Sequence, residues 1–204
     1  ARPRRAPPPG AHRIGMAAAL MRFASLPSRS WGSNSGRAKD LATGPAGPSG
    51  SPGWRLSAAT IEKSGPFTSF EGLDRITVPV EGELLILNVD GTEHAMERLR
   101  PLRYPGDVPV QASLPTGEVT VLNTFVDRNS YGAAVMVVEL SKKNPPSLGP
   151  DQFLVLLQGS AKAVLDGGSR TEDLDLLDTV AGGDDHPQVL GRGFAAVVSF
   201  YPLD

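Results

Sequence analysis

A chain of 204 residues holds one large or two small domains, and 40% hydrophobic residues are enough for one ordinary core. Its 23 glycines and 19 prolines, set against 6% aromatics, suit a β-rich protein with many turns. A formal charge of −2 gives no electrostatic case for nucleic acid or an anionic membrane as partner. The lack of cysteine removes disulfides, thiolate zinc sites and thiol nucleophiles, and it is compatible with the expected location, the cytoplasm.

Residues 1–20 are basic, Pro-rich and aperiodic and are expected to be a disordered extension. Arginines precede Met16–Met21, but that short apolar stretch falls below the roughly 7–15 residues of a signal-peptide core, so the natural start is expected at Met21. No segment approaches the ~18 apolar residues of a membrane span. MRFASLP then alternates as an edge strand ending at Pro27, and 28–41 reads as a polar loop around Trp31. GPAGPSGSPG (Gly44 to Gly53) is a flexible surface loop.

WRLSAATI places Trp54, Leu56 and Ala58 on one strand face and Arg55 and Ser57 on the other. A Gly-Pro loop ending in Asp74 and Arg75 leads into Ile76, Val78 and Val80, then Glu81-Gly82, then Leu84 to Val89, then the Asp90-Gly91 turn. These are consecutive antiparallel hairpins. VPVQASL, Glu118 to Asp127 and Ala133 to Leu140 are further strands, and Ser141 to Pro150 is a linker. QFLVLLQGSAKAVLDGG and FAAVVSFYPL close the chain, while EDLDLLD between them suits either a helical turn or a strand.

The second half repeats the first. Gly82 maps to Gly159, Asp90-Gly91 to Asp166-Gly167, Leu99 to Leu176 and Gly106-Asp107 to Gly183-Asp184, with a single-residue slip at Asp166. Antiparallel units with bare edges close into jelly rolls or barrels. The expected fold class is therefore all-β, with two small β-barrel modules packed together. The expected boundaries are an extension over 1–20, a first module over 21–140 that shares strands, and a second over 141–204.

The pattern x-Gly-x-apolar-x-apolar-x-Asp-Gly, then Leu, then Pro-Gly-Asp, resembles the cupin superfamily. WRLSAATIEKSGPFTSFEGLDR followed by VEGELLILNVDG is similar, more closely, to the HutD/Ves family. Trp54, Arg55, Leu56, Ser57, Ala59, Gly65, Pro66, Phe67, Phe70, Gly72, Asp74 and Arg75 fall in place. Asn123 and Arg128 match a downstream segment, and Trp31 to Gly36 keeps a degraded form of the family's Trp-Lys-Asn-Gly loop, with Asp40 near its acidic position. The resemblance implies a bicupin that binds a small acidic metabolite, N-formylglutamate, and modulates histidine utilisation without catalysing a reaction. A metal-independent isomerase or lyase acting on such an acid is the alternative, and a stress-related protein-interaction module is a third reading.

Arg75 leads the candidate ligand-binding residues, because a guanidinium offers the planar fork that grips a carboxylate with two bonds. A structural pair with Asp74, Glu71 or Glu81 would occupy the same group. Arg55 and Ser57 join it if their strand face lines an interior. Asn123, a polar residue in an apolar strand, must find partners in the backbone or in a ligand. Arg128, Asn34 and His94 complete the set. No catalytic residue is assigned, since there is no nucleophile elbow and no His beside a suggestive Ser. The region Gly82 to Thr92 has no His-x-His, so neither metal nor cofactor is expected. The expected partner is a small anionic metabolite, with no nucleic acid and no membrane; homodimerisation stays open.

Overall fold

The computed structural model describes residues 18–31, 36–47 and 50–203, and its regular elements are almost entirely strands. In chain order these are β1 (Ala19–Met21), β2 (Arg29–Trp31), β3 (Gly36–Thr43), β4 (Trp54–Ile61), β5 (Gly65–Pro66), β6 (Leu73–Glu81), β7 (Leu85–Val89) and β8 (Thr92–Met96). They continue as β9 (Leu102–Pro105), β10 (Val110–Ser113), β11 (Val119–Asp127), β12 (Tyr131–Glu139), β13 (Gln152–Leu165), β14 (Arg170–Leu174), β15 (Thr179–Ala181) and β16 (Gln188–Pro202). Two short helical turns, Phe23–Ser25 and Asp166–Gly168, complete the list.

Among the described residues the strands form three sheets. The middle sheet runs β2-β3-β4-β11-β6-β9, a four-stranded sheet runs β5-β10-β7-β8, and an outer sheet runs β1-β15-β13-β16-β12 with β14 branching from β13. Strand alternation decides what each face buries. On β4, β6 and β11 the residues Trp54, Leu56, Ala58, Ile76, Val78, Val80, Leu122 and Val126 face the outer sheet. There they meet Phe153, Val155, Ala196, Val198 and Phe200, and the Trp54 ring stacks on Phe200 at 4.0 Å between centroids. The opposite parity, Ala59, Ile61, Val119 and Val121, packs against Leu85, Leu87 and Val89 of the four-stranded sheet. A third apolar cluster, Leu154, Leu156, Ala163, Leu165, Leu174 and Val189, fills the far side of the outer sheet.

The repeat has a backbone counterpart. Gly82 and Gly159 hold φ of +97° and +94°, and Asp90 and Asp166 hold +48° and +52°. At Gly159 a Cβ would stand 2.1 Å from the Arg192 carbonyl, so only glycine lets β13 bend away there, just past a bulge between Leu156 and Gln158. The left-handed residue corresponding to Leu99 (φ +65°) is Leu177 (φ +65°), one position beyond the Leu176 that the sequence alignment selects.

Several local expectations change. Ala19 and Leu20, assigned to the extension, pair with Ala181 and Val180, while residues 1–17 lie outside the described residues. MRFASLP ends its strand at Met21 and turns through Phe23–Ser25. The segment 28–41, read as a loop, supplies the hairpin β2–β3, because polar side chains are tolerated on a sheet rim. EDLDLLD contributes its first residues to β14. The first module, 21–140, is expected to share strands; here β1 pairs with β15, and β12 pairs along its length with β16.

Candidate functional site

The polar residues that sequence parity assigns to the inner face of β4, β6 and β11 converge between the middle and four-stranded sheets. Register puts Ser57 opposite Asn123 and Asn123 opposite Thr77; in the adjacent row Arg55 faces Phe125, Phe125 faces Arg75, and Arg75 faces Tyr104. Arg75 is 1% exposed and Asn123 fully buried. The guanidinium donates from Nε and Nη2 to Asn123 Oδ1 at 3.2 and 3.0 Å. Thr77 Oγ1 donates to the same oxygen at 2.9 Å and lies 2.9 Å from the Tyr104 hydroxyl. Three rings enclose the cation, Phe67, Phe125 and Tyr104, at 4.5, 5.1 and 5.6 Å from Cζ. Burial pushes the Arg75 pKa below its ordinary value; Tyr104 counters that shift and Arg55 reinforces it. Burial likewise raises the Tyr104 phenol above 10.0, against the pull of Arg75 and the Thr77 hydrogen bond.

Arg55 stands nearer the surface, its Cζ 4.7 Å from the Phe125 ring and 5.8 Å from Phe70. Burial lowers its pKa; Asp40, 3.9 Å away, opposes this, and Arg29 adds to it. Asp40 itself is held by Arg29 at 2.9 Å. Two buried donors in this region, Asn123 Nδ2 and Arg55 Nε, have no hydrogen-bond partner among the described residues. Arg55, Phe70, Gly72, Phe125, Asp127 and Asn129 help line a cavity of about 560 Å³ that opens outward.

Arg75, Arg55, Asn123 and Ser57 are thus brought together, with Ser57 2% exposed beside Asn123. Arg128 is placed differently: it is an ion-pair post, 3.2 Å from Asp74 and 3.0 Å from Asp107, and it donates to the Leu73 carbonyl. The hydrogen bond from Arg128 holds the Asp107 carboxyl below its ordinary range, and the same bond raises Arg128. His94 lies on β8 opposite Leu87, on the terminal strand of the four-stranded sheet, and shares none of these contacts. Asn34 lies outside the described residues. Thr77, Tyr104 and Phe125 were not singled out from sequence, although Thr77 and Phe125 share the inward parity of Arg75 and Asn123.

Metal sites of the cupin kind rest on His and Glu. The inward positions here are Arg, Ser, Thr, Tyr and Asn, and among the described residues no group of three or more His, Cys, Asp or Glu converges. A buried guanidinium repels a cation, so this donor set does not fit a metal. Among the described residues no helix is long and apolar enough to cross a membrane.

The sheets and their interior define a cupin-type fold. A cupin 2 conserved barrel domain protein from Leptotrichia buccalis superposes with a TM-score of 0.58 at 8% identity, over 95% of this chain and 100% of that one. HutD from Pseudomonas fluorescens SBW25 superposes with a TM-score of 0.77 at 24% identity, over 92% of this chain and all of that one. The HutD family model matches residues 24–196, and the chain belongs to that family. Protein Ves from Citrobacter koseri is 31% identical over 104 residues, covering 50% of this chain and 54% of Ves. The chain thus spans about half the length of the curated relatives it matches.

Proposed function

We propose that the protein binds a small acidic metabolite between the middle and four-stranded sheets, with N-formylglutamate as the first candidate, and through it modulates histidine utilisation. One observation carries the reading: a guanidinium buried among three aromatic rings, beside an asparagine whose Nδ2 donor is left over. A carboxylate guest accepts from the spare amide and is attracted by the buried guanidinium. Arg55, beside the open cavity, supplies a second fork for a guest with two acidic ends.

Isothermal titration with N-formylglutamate, urocanate and glutamate tests this. Heat with at least one of them, lost in Arg75→Gln, is expected; no heat with any at millimolar levels for folded protein overturns it. The alternative, an isomerase or lyase, asks for a titratable group facing the cation, and Tyr104 stands there. Product analysis after prolonged incubation with the same acids separates turnover from binding.

A further inference from the structure

The open cavity of about 560 Å³ is lined by side chains of both signs, Arg55 together with Asp127 and Glu71. Strand register fixes where the first two stand. Arg55 pairs with Phe125 across β4 and β11, and two residues further along β11 Asp127 takes the same side of the sheet. There its N–H donates to the Gly53 carbonyl at 2.8 Å. The carboxylate thus springs from a point about 7 Å beyond the arginine's row, at the end of the strand. Among the described residues the ion-pair partner of Arg55 is Asp40, at 3.9 Å, and Arg55 Nε makes no hydrogen bond. The Asp127 carboxylate is held by its own turn: Oδ1 accepts from the Asn129 N–H and Oδ2 from the Ser130 hydroxyl, both at 3.0 Å. Each oxygen keeps room for a further donor. Phe125, 4.7 Å from Arg55 Cζ, and Phe70, at 5.8 Å, add an apolar wall.

We infer that Asp127 is the specificity-determining residue of this cavity and accepts an N–H from a guest whose carboxylate lies on Arg55. The cavity therefore takes an acid that also carries an N–H donor, an amino acid or its N-acyl derivative, over a plain dicarboxylate of the same length. A plain dicarboxylate sets its second anionic end before Asp127 and Glu71, where like charge repels it. An N–H in that place meets a fixed, charged acceptor, which favours it by about ten- to a hundredfold in affinity. That the guest is an acidic metabolite rests on the reading above, whereas the frame of Arg55 and Asp127 stands on the cavity itself.

Titration calorimetry with glutarate, glutamate, N-formylglutamate and leucine tests this. Glutarate has the glutamate skeleton without its nitrogen, and leucine has a carboxylate and an ammonium without a second acid. Glutamate and N-formylglutamate are expected to bind the parent protein about ten- to a hundredfold more tightly than glutarate. Asp127→Asn keeps an oxygen for the Asn129 N–H but loses the charge. It is expected to cut the preference for glutamate over glutarate about tenfold, and that for N-formylglutamate, whose N–H is uncharged, by less. Thermal melts confirm that the variant is folded, and a purely structural role for Asp127 weakens every probe alike and leaves the ratios unchanged. Arg55→Gln is expected to weaken all four probes about tenfold. Unchanged ratios in Asp127→Asn, or a parent protein that binds glutarate as tightly as glutamate and N-formylglutamate, overturn the inference and leave the acid-binding function standing. Heat with leucine alone, reduced in Asp127→Asn, sinks the proposed function and leaves the frame standing. Silence from all four probes with folded protein overturns both.

Discussion

Asn123→Asp is the sharpest perturbation of the site. The Oδ1 atom already accepts from Arg75 Nε at 3.2 Å, Arg75 Nη2 at 3.0 Å and Thr77 at 2.9 Å, so an aspartate fits without moving a neighbour. Its charge lies about 4 Å from the guanidinium centre, and at an effective dielectric of ~20 the two attract by about 4 kcal/mol. Dehydrating the new carboxylate costs several kcal/mol, so the fold is expected to change by no more than ~1–2 kcal/mol at neutral pH. The effect on a carboxylate guest is much larger. Cancelling the cation removes about 4 kcal/mol of attraction, which is roughly a thousandfold in Kd. The new carboxyl, paired with Arg75, titrates below its usual ~3.9. The stabilisation from the pair is therefore present above that value and lost as pH falls through the depressed pKa. Titration calorimetry and thermal melts of both proteins read the two effects separately. An aspartate variant that binds the acid as tightly as the parent refutes the reasoning, because the guest then does not sense the charge on Arg75.

Other expectations follow from packing and backbone geometry. Trp54→Ala removes the ring stacked on Phe200 and is expected to cost about 3–5 kcal/mol, seen as a fall of roughly 10 °C in Tm; a loss below ~1 kcal/mol refutes the inter-sheet core as described. Gly159→Ala drives a Cβ to 2.1 Å from the Arg192 carbonyl at φ +94°, whereas Gly91→Ala meets open space at φ +85°. Denaturant titration is expected to show ~1–2 kcal/mol lost at Gly91 from φ alone and clearly more at Gly159. The hydrogen bond from Arg128 holds the Asp107 carboxyl below 3.8, so the stabilisation from that pair is present above that pH and lost as pH falls through the lowered value. Asp107→Asn is expected to remove that acid-limb loss from melts between about pH 2 and 6 and to speed amide exchange at Gly72; an unchanged acid limb refutes the pair as a source of that stability.

Much of the site was legible because a strand reports its inside by alternation. Asn123 sits in a run of Val and Leu, so its burial was expected, whereas alternation set Arg55 and Ser57 on the face opposite Trp54, Leu56 and Ala58 and left open whether that face lines an interior or meets water. Thr77 and Phe125 obey the same parity but resemble ordinary strand residues, and only register reveals that they complete the site. The pairing of Arg128 with Asp74 and Asp107 was not legible, because the three residues are far apart in the chain and meet only in the fold. The slip between Leu176 and Leu177 was hidden because two adjacent leucines give no sign of which one holds the left-handed backbone. The hairpin β2–β3 was hidden because rim strands carry too few apolar residues to show a period.

The pairing of β1 with β15 has a consequence for synthesis of the chain. Ala19–Met21 is made about 160 residues before its partner Thr179–Ala181, which at ~5–20 residues per second is a wait of some ten to thirty seconds. During that interval the middle sheet's Trp54, Leu56, Ile76 and Val78 stay uncovered, because every outer-sheet strand but β1 comes after them in the chain. Shelter by a chaperone, or simple crowding out of intermolecular collisions, then matters more for yield than the final stability does.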